Sequence, residues 1–149
     1  MRRDTRRAMS QRNVELVQRG IAAINQAYAQ DDIAPWREHV ESVVDAELVL
    51  EAGADAFTEG DWRGRQGAIE FVANQMEVLK GMWMRLDEFI DVDEDRFVVA
   101  ITFGGQARHT AIPVELHPFH ALTLRNGMIR RWQVFLSRKE ALEAVGLSE

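Results

Sequence analysis

His120 is the side chain with the clearest capacity for chemistry in this sequence. An imidazole with an unperturbed pKa of about 6.5 can act as a general acid or base near neutral pH. Trp132 lies twelve residues further along, across a turn at Asn126 and Gly127, so the two side chains can face each other on a hairpin. A buried histidine that only hydrogen-bonds to a neighbour fits the same pattern, and both interpretations stand.

The register of this hairpin decides which side chains share a face. A glycine-bulged turn places His120 opposite Trp132 and Leu122 opposite Arg130, whereas a two-residue turn pairs His120 with Gln133. Asn-Gly is compatible with both turns. The residues alone therefore leave two candidate faces open.

Metal and cofactor chemistry find no support in the residue pattern. Cysteine is absent, which excludes thiolate nucleophiles and cysteine ligands. His117 and His120 are three apart on a predicted strand and so point to opposite faces. Asp91, Asp93 and Asp95 imitate a calcium loop, but Arg96 stands where such a loop needs glycine, so a hairpin turn is predicted instead. We expect neither a metal nor a cofactor.

Composition indicates one globular domain of 149 residues with 46% hydrophobic and 28% charged residues. Residues 1–12 carry a net charge of +4 within a total of −6, which leaves −10 on residues 13–149. An acidic body of this kind repels nucleic acid. No run is long and apolar enough for a membrane span, and no secretory signal follows the basic start. We expect a flexible leader over 1–12, a single domain over 13–149, a cytoplasmic location, and neither nucleic-acid nor membrane partners.

Helical patterns occupy the first half of the chain. Apolar residues at three- and four-residue spacing predict a helix from Asn13 to about Gln30, and Pro35 opens a second one. A strand is predicted over Glu47–Glu51 and a third helix over Gln66–Lys80. The intervening segment is rich in turn residues.

Strand patterns with a period of two dominate the second half. The predicted strands are Met82–Val92, Arg96–Arg108, Pro113–Arg125 and Met128–Leu136. Ser137 and Glu140 then form a capping box for a last short helix that ends at Gly146. Helices followed by antiparallel strands predict the α+β class.

This order of elements resembles the nuclear transport factor 2-like superfamily, and within it the SnoaL-like, polyketide cyclase-like branch. The segments that carry the likeness are residues 13–17, 62–67, 88–91 and 123–142. The resemblance implies a cone-shaped, curved antiparallel sheet wrapped around a long helix, an apolar pocket, and a homodimer formed through the outer face of the sheet. It also favours the bulged hairpin register, with a pocket lined by Tyr28, Trp62, Phe103, His120, Leu122, Trp132 and Val134.

The catalytic patterns of this superfamily are incomplete here. The last-strand aspartate of the polyketide cyclases corresponds to Val134. The tyrosine and carboxylate of the ketosteroid isomerases fall on Gly20 and Leu50. The arginine and two aspartates of the epoxide hydrolases fall on Thr102, Gly104 and Val134. None of these three mechanisms is intact.

Two functions therefore remain open. The first is a pocket protein that binds a small, largely apolar molecule. The second is a small-molecule isomerase, dehydratase, cyclase or hydrolase that uses His120 and Glu51, the neighbour of Leu50, as its acid and base.

Overall fold

The computed structural model describes residues 2–53 and 59–148. This part of the chain contains four helices and seven strands. They are α1 (Arg2–Gln30), α2 (Ala34–Val43), β1 (Val44–Ala52), β2 (Gly60–Arg63), α3 (Gly64–Val78), β3 (Leu79–Asp91), β4 (Arg96–Ala107), β5 (Pro113–Leu116), β6 (Phe119–Arg125), β7 (Met128–Phe135) and α4 (Arg138–Ala144). The predicted α+β class is confirmed. No helix of the described chain is long and apolar enough to cross a membrane.

The strands form one curved, unclosed sheet in the order β2-β1-β7-β6-β4-β3, with β5 paired to β4. The neighbours are antiparallel except for β1 and β7, which run parallel. The pairs among β3 to β7 are antiparallel as predicted, and the parallel pairing of β1 with β7, which was not predicted, makes the sheet mixed. Strand periodicity identifies a strand but not its partner, and a parallel pair needs only a long connection, which the chain between β1 and β7 supplies.

Helix α1 begins well before the predicted start at Asn13. Residues 2–12, expected to form a flexible leader, continue the helix back to Arg2. They contain neither glycine nor proline and are rich in arginine, which favours helix. Asn13 does not cap the helix, because it lies in the helix interior. Its amide Nδ2 instead donates to the Glu94 carbonyl at 3.1 Å and fastens α1 to the β3–β4 turn.

Two strand boundaries also differ from the prediction. The expected strand Pro113–Arg125 is divided into β5 and β6 around Pro118, which has no N–H to donate to a ladder. The short strand β2 was not predicted, because it begins at Gly60 in a turn-rich segment. The last helix follows the prediction, and Ser137 Oγ accepts from the Glu140 amide at 3.3 Å.

The two faces of the sheet are covered differently. On the concave face α1 packs against β3, and α3 packs against β1 and β2. On the convex face α4 covers a separate small cluster that includes Val98, Ala121 and Leu142. Any interior space therefore lies between the two long helices and the concave face.

Asn25 fixes α1 to the edge of the sheet. Its amide Nδ2 donates to the Met84 carbonyl at 2.8 Å, and its Oδ1 accepts from the Met84 N–H at 2.8 Å. The side chain thus pairs with β3 as a neighbouring strand would. β3 is the last strand in the sheet order, and an edge covered in this way cannot pair with another chain at that point.

We predict that Asn25→Ala lowers the free energy of unfolding by about 1–3 kcal/mol, because it leaves a half-buried donor and acceptor of Met84 unpaired. Urea denaturation measures the change. Gln26→Ala, on the exposed side of the same helix turn, is the matched control and should change stability by less than about 0.5 kcal/mol. Equal effects of the two substitutions would contradict the role given to Asn25.

Candidate functional site

The hairpin between β6 and β7 combines a two-residue turn with a bulge. Arg125 pairs with Met128 across Asn126 and Gly127, whose φ angles of 54° and 77° suit a type I′ turn. The register then shifts, so that Thr123 pairs with Arg131 and Arg130 is the extra residue of β7.

The bulge changes the predicted pairing but preserves the predicted face. His120 lies opposite Val134, and Leu122 lies opposite Trp132. The favoured register, which placed His120 opposite Trp132, is wrong by two residues. Because the side-chain period of a strand is two, a slip of two residues keeps the same set on the same face. His120, Leu122, Trp132 and Val134 therefore still share the concave face.

These four side chains line a cavity between the sheet and the helices. Phe103 of β4 lies in the same wall, and the opposite wall comes from one side of α1 and from Phe71, Val72 and Gln75 of α3. The cavity offers about 70 Å³ to the centres of water-sized spheres. Since one water needs roughly 10–15 Å³ on this measure, the space suits a handful of non-hydrogen atoms.

His120 is held by Trp132. The indole Nε1 donates to Nδ1 of His120 at 2.7 Å, which is possible because the two residues are diagonal neighbours on adjacent strands. His120 is only 6% exposed, and this burial lowers the pKa of its imidazole to about 4. The ring is therefore neutral at physiological pH.

Tyr28, predicted as a pocket residue, lies one layer behind the cavity. Its hydroxyl donates to Gln75 Oε1 at 3.4 Å, and burial raises the pKa of the phenol above its usual value. Gln75 itself borders the cavity and was not predicted. The signal was a single polar residue on the apolar stripe of the third helix, next to Val72 and Met76.

Trp62, also predicted as a pocket residue, is half-exposed and does not reach the cavity. Its ring meets Phe71 edge to face, with 4.9 Å between the ring centroids. Phe71 in turn contacts Trp132, which contacts Trp36 of α2. Trp36 lines the cavity and was missed as a site residue, because an aromatic residue on an amphipathic helix is equally typical of a core.

Glu51 points away from the cavity. The inward residues of β1 are Leu48, Leu50 and Ala52, so Glu51 lies on the convex face, where its Oε1 accepts from Arg131 Nη2 at 3.0 Å. The proposed pairing of His120 with Glu51 as acid and base is therefore not formed. Within the described chain, His120 is the one titratable side chain that lines the cavity.

Two of the positions aligned with the epoxide hydrolase pattern, Thr102 and Gly104, also lie on the convex face, whereas the third, Val134, lines the cavity. The Thr102 hydroxyl contacts Asp87 and lies 2.9 Å from Nδ1 of His117. Gly104 lies beneath the Trp83 ring, which a side chain there would strike. The inward residues of this strand are Ile101 and Phe103, and both are apolar.

Metal ligation has no site in the part of the chain that the structure describes, because no three His, Cys, Asp or Glu side chains converge there. Asp93 serves the β3–β4 turn instead. Its Oδ1 accepts from the amides of Asp95 and Arg96 at 3.0 and 2.9 Å, and its Oδ2 pairs with the Arg96 guanidinium. The Asp93 carboxylate thus has structural partners within the turn.

Comparison with known proteins supports the fold and no more. No family model and no curated protein matches the chain. A hypothetical protein from Catenulispora acidiphila with a ketosteroid isomerase-like fold, solved in complex with trimethylamine, is 16% identical with a TM-score of 0.67, over 89% of this chain and 93% of that one. TerC co-crystallised with polyporic acid is 23% identical with a TM-score of 0.65, over 90% and 98%. A putative SnoaL-like polyketide cyclase from Jannaschia sp. CCS1 is 17% identical with a TM-score of 0.65, over 93% and 94%. The chain thus has the nuclear transport factor 2-like fold that the sequence resembles.

We predict that this protein becomes less stable as the pH is lowered, because His120 is buried as a neutral imidazole. The pKa of the imidazole is about 4 in the folded protein and about 6.5 in the unfolded chain. Between these values the unfolded chain binds a proton that the folded chain does not, so lowering the pH through this window lowers the free energy of unfolding. The loss from this group approaches about 3 kcal/mol below pH 4.

Urea denaturation between pH 7 and pH 4 tests this, with His120→Gln as the matched variant. Glutamine can accept from Trp132 but does not titrate, so subtracting its profile removes the contribution of every other group. The free energy of unfolding of the wild type, minus that of the variant, should fall steadily as the pH is lowered. Parallel profiles would show that His120 does not titrate as its burial requires.

Proposed function

We propose that this protein binds a small, largely apolar molecule in the cavity between α1, α3 and the concave face of the sheet. The observation that carries the proposal is the lining itself. It consists almost wholly of aliphatic and aromatic side chains, with His120 and Gln75 as its polar members. Binding sites for small molecules are typically apolar cavities with a few polar groups.

The space inside limits the ligand. The cavity offers about 70 Å³ to the centres of water-sized spheres, so it admits a molecule of a few non-hydrogen atoms without rearrangement. A larger molecule would have to displace side chains. Two proteins of the same fold were solved with small organic molecules, one with trimethylamine and one with polyporic acid. Those complexes support the use of this fold for small ligands, not a particular ligand for this chain.

Acid–base catalysis is the weaker candidate. It usually needs two groups whose pKa values are separated by their surroundings, and His120 has no titratable companion among the described residues that line the cavity. Glu51, the expected companion, is paired with Arg131 on the other side of the sheet. An imidazole with a pKa of about 4 also favours hydrogen bonding over proton uptake at neutral pH.

Gly20 provides a direct test of binding. It lies on α1 beside the cavity, and a Cβ built there meets no atom within 4 Å. We predict that Gly20→Leu fills the cavity, raises the free energy of unfolding by about 1 kcal/mol or more through helix propensity and apolar burial, and abolishes ligand binding. Thermal shifts with a panel of small apolar compounds measure binding.

Two controls accompany this variant. Gly20→Ala improves helix propensity while leaving most of the cavity open, so it should keep binding. Ala22→Leu adds the same side chain on the exposed side of α1 and should also keep it. If compounds that shift the wild-type protein shift Gly20→Leu equally, they bind elsewhere and the proposed site is wrong.

We also propose that the protein forms a homodimer through the convex face of the sheet. Trp83 on β3 is 38% exposed there, with the Arg85 guanidinium 5.5 Å from its ring centroid. An exposed tryptophan on a sheet is typical of an interface.

Light scattering at micromolar concentration should give twice the 17.0 kDa of the monomer. Trp83→Glu should reduce the mass to that of the monomer, because it replaces the tryptophan of the proposed interface with a charged side chain that would be buried there. Ile112→Glu, which changes an equally apolar but loop-borne exposed residue, should leave the dimer intact. A mass of 17.0 kDa for the wild type at every concentration would exclude the dimer.

A further inference from the structure

The position of one proton limits what the cavity can bind. The Trp132 indole nitrogen can only donate, and it lies 2.7 Å from Nδ1 of His120. Nδ1 must therefore be the acceptor. A neutral imidazole carries its single proton on the other nitrogen in that case, so Nε2 of His120 is an N–H donor.

The contacts of His120 indicate that this N–H faces the cavity. His120 lines the cavity, and no residue within 2–53 or 59–148 forms a hydrogen bond with its Nε2. Among the described residues, Nε2 of His39 is the one side-chain nitrogen or oxygen that is both fully buried and without a hydrogen-bond partner. Nε2 of His120 also has no partner, so it cannot be fully buried. Nε2 of His120 is thus not sealed within the protein, and it borders the open space that its residue lines.

We propose that the ligand is a neutral molecule with a hydrogen-bond acceptor, such as a ketone, aldehyde, ester or ether, and that this acceptor binds Nε2–H of His120. The assignment deepens the proposed function and depends on it. An apolar body would fill the space between the aromatic walls. The single acceptor would satisfy a donor that otherwise faces an apolar cavity, where an unmade hydrogen bond is costly.

Charged ligands fit this site poorly. A carboxylate would need a cation, and no lysine or arginine is among the residues lining the cavity in the described chain. A protonated amine would need a carboxylate, which is absent from the cavity lining in the described chain, and it would meet the positive end of the Nε2–H dipole. Burying either charge unpaired costs several kcal/mol.

Trp132 is a positioning residue in this scheme. Its ring forms part of the cavity wall, and its N–H selects the tautomer of His120. Trp132→Phe keeps an aromatic wall but removes the N–H. The proton of His120 is then free to move to Nδ1, and Nε2 can become an acceptor.

The first experiment reads the tautomer without any ligand. In a ¹⁵N-labelled sample at pH 7, long-range proton–nitrogen NMR spectra should show His120 with a protonated Nε2 and an unprotonated Nδ1. The Trp132→Phe variant should show a mixture. A wild-type His120 with its proton on Nδ1, or a charged ring, would overturn the proposal.

The second experiment compares two probes of the same shape, cyclopentanone and methylenecyclopentane, which differ in a carbonyl oxygen against a CH₂ group. The ratio of their dissociation constants should change about ten-fold between wild type and His120→Phe, and the variant should favour the alkene. A change of this size corresponds to the loss of one net hydrogen bond. Trp132→Phe should change the ratio in the same direction. It also keeps the test decisive if His120→Phe does not fold.

The outcomes separate this inference from the proposed function. If both probes bind but their ratio is the same in all three proteins, the cavity binds ligands and the acceptor assignment is wrong. Tighter binding of cyclopentylammonium or cyclopentanecarboxylate than of the ketone would also overturn the assignment. If no probe binds and the wild type behaves like Gly20→Leu, the proposed function fails as well.

Discussion

The bulge at Arg130 is the constraint on which the interior of this protein depends. Side chains alternate along a strand, so a two-residue turn without the bulge would turn Arg131 and Gln133 towards the helices and Trp132 towards solvent. One extra residue restores the alternation. It places Trp132 and Val134 inside and leaves Arg131 outside, where it pairs with Glu51. The parallel partner β1 follows the same alternation, since Leu50 lies beside Trp132.

Once the aromatic and apolar side chains are inside, the few polar atoms among them must find partners or open space. Trp132 donates to His120, Tyr28 donates to Gln75, and Trp36 Nε1 donates to the Ala68 carbonyl at 3.0 Å. Each bond ties an aromatic residue to a different element and fixes its ring. Burial keeps His120 neutral, and the bond from Trp132 fixes its tautomer. The wall geometry and the chemistry of the cavity thus follow from the same contacts.

The sequence predicted the elements and the inward face better than the pairing. Periodicity located the helices and the long strands, and Ser137 with Glu140 located the last helix, because these signals are local. The bulge has no such signal, since Arg130 is neither a glycine nor part of a turn. The position of Glu51 depends on the strand phase of β1, in which the inward Leu48 and Leu50 assign Glu51 to the other face. Trp36 and Gln75 became site residues only through packing between elements that are distant in sequence.

The cavity persists in a domain that is otherwise closely packed, and this bears on its purpose. An empty apolar space costs stability, because the atoms that line it lose contacts. The chain could remove that cost through Gly20, where nothing stands in the way of a side chain and where glycine weakens the helix. Gly20 therefore lowers the stability of the fold in two ways, by leaving the cavity open and by weakening the helix. Neither is required for folding. A bound molecule would offset both by restoring the missing contacts. Because the walls hold a neutral donor and no carboxylate among the described residues, such a molecule would gain orientation from His120 and dispersion contacts from the aromatic rings. The arrangement therefore suits the proposed binding of a neutral ligand, and His120 is the one titratable side chain that lines the cavity within residues 2–53 and 59–148.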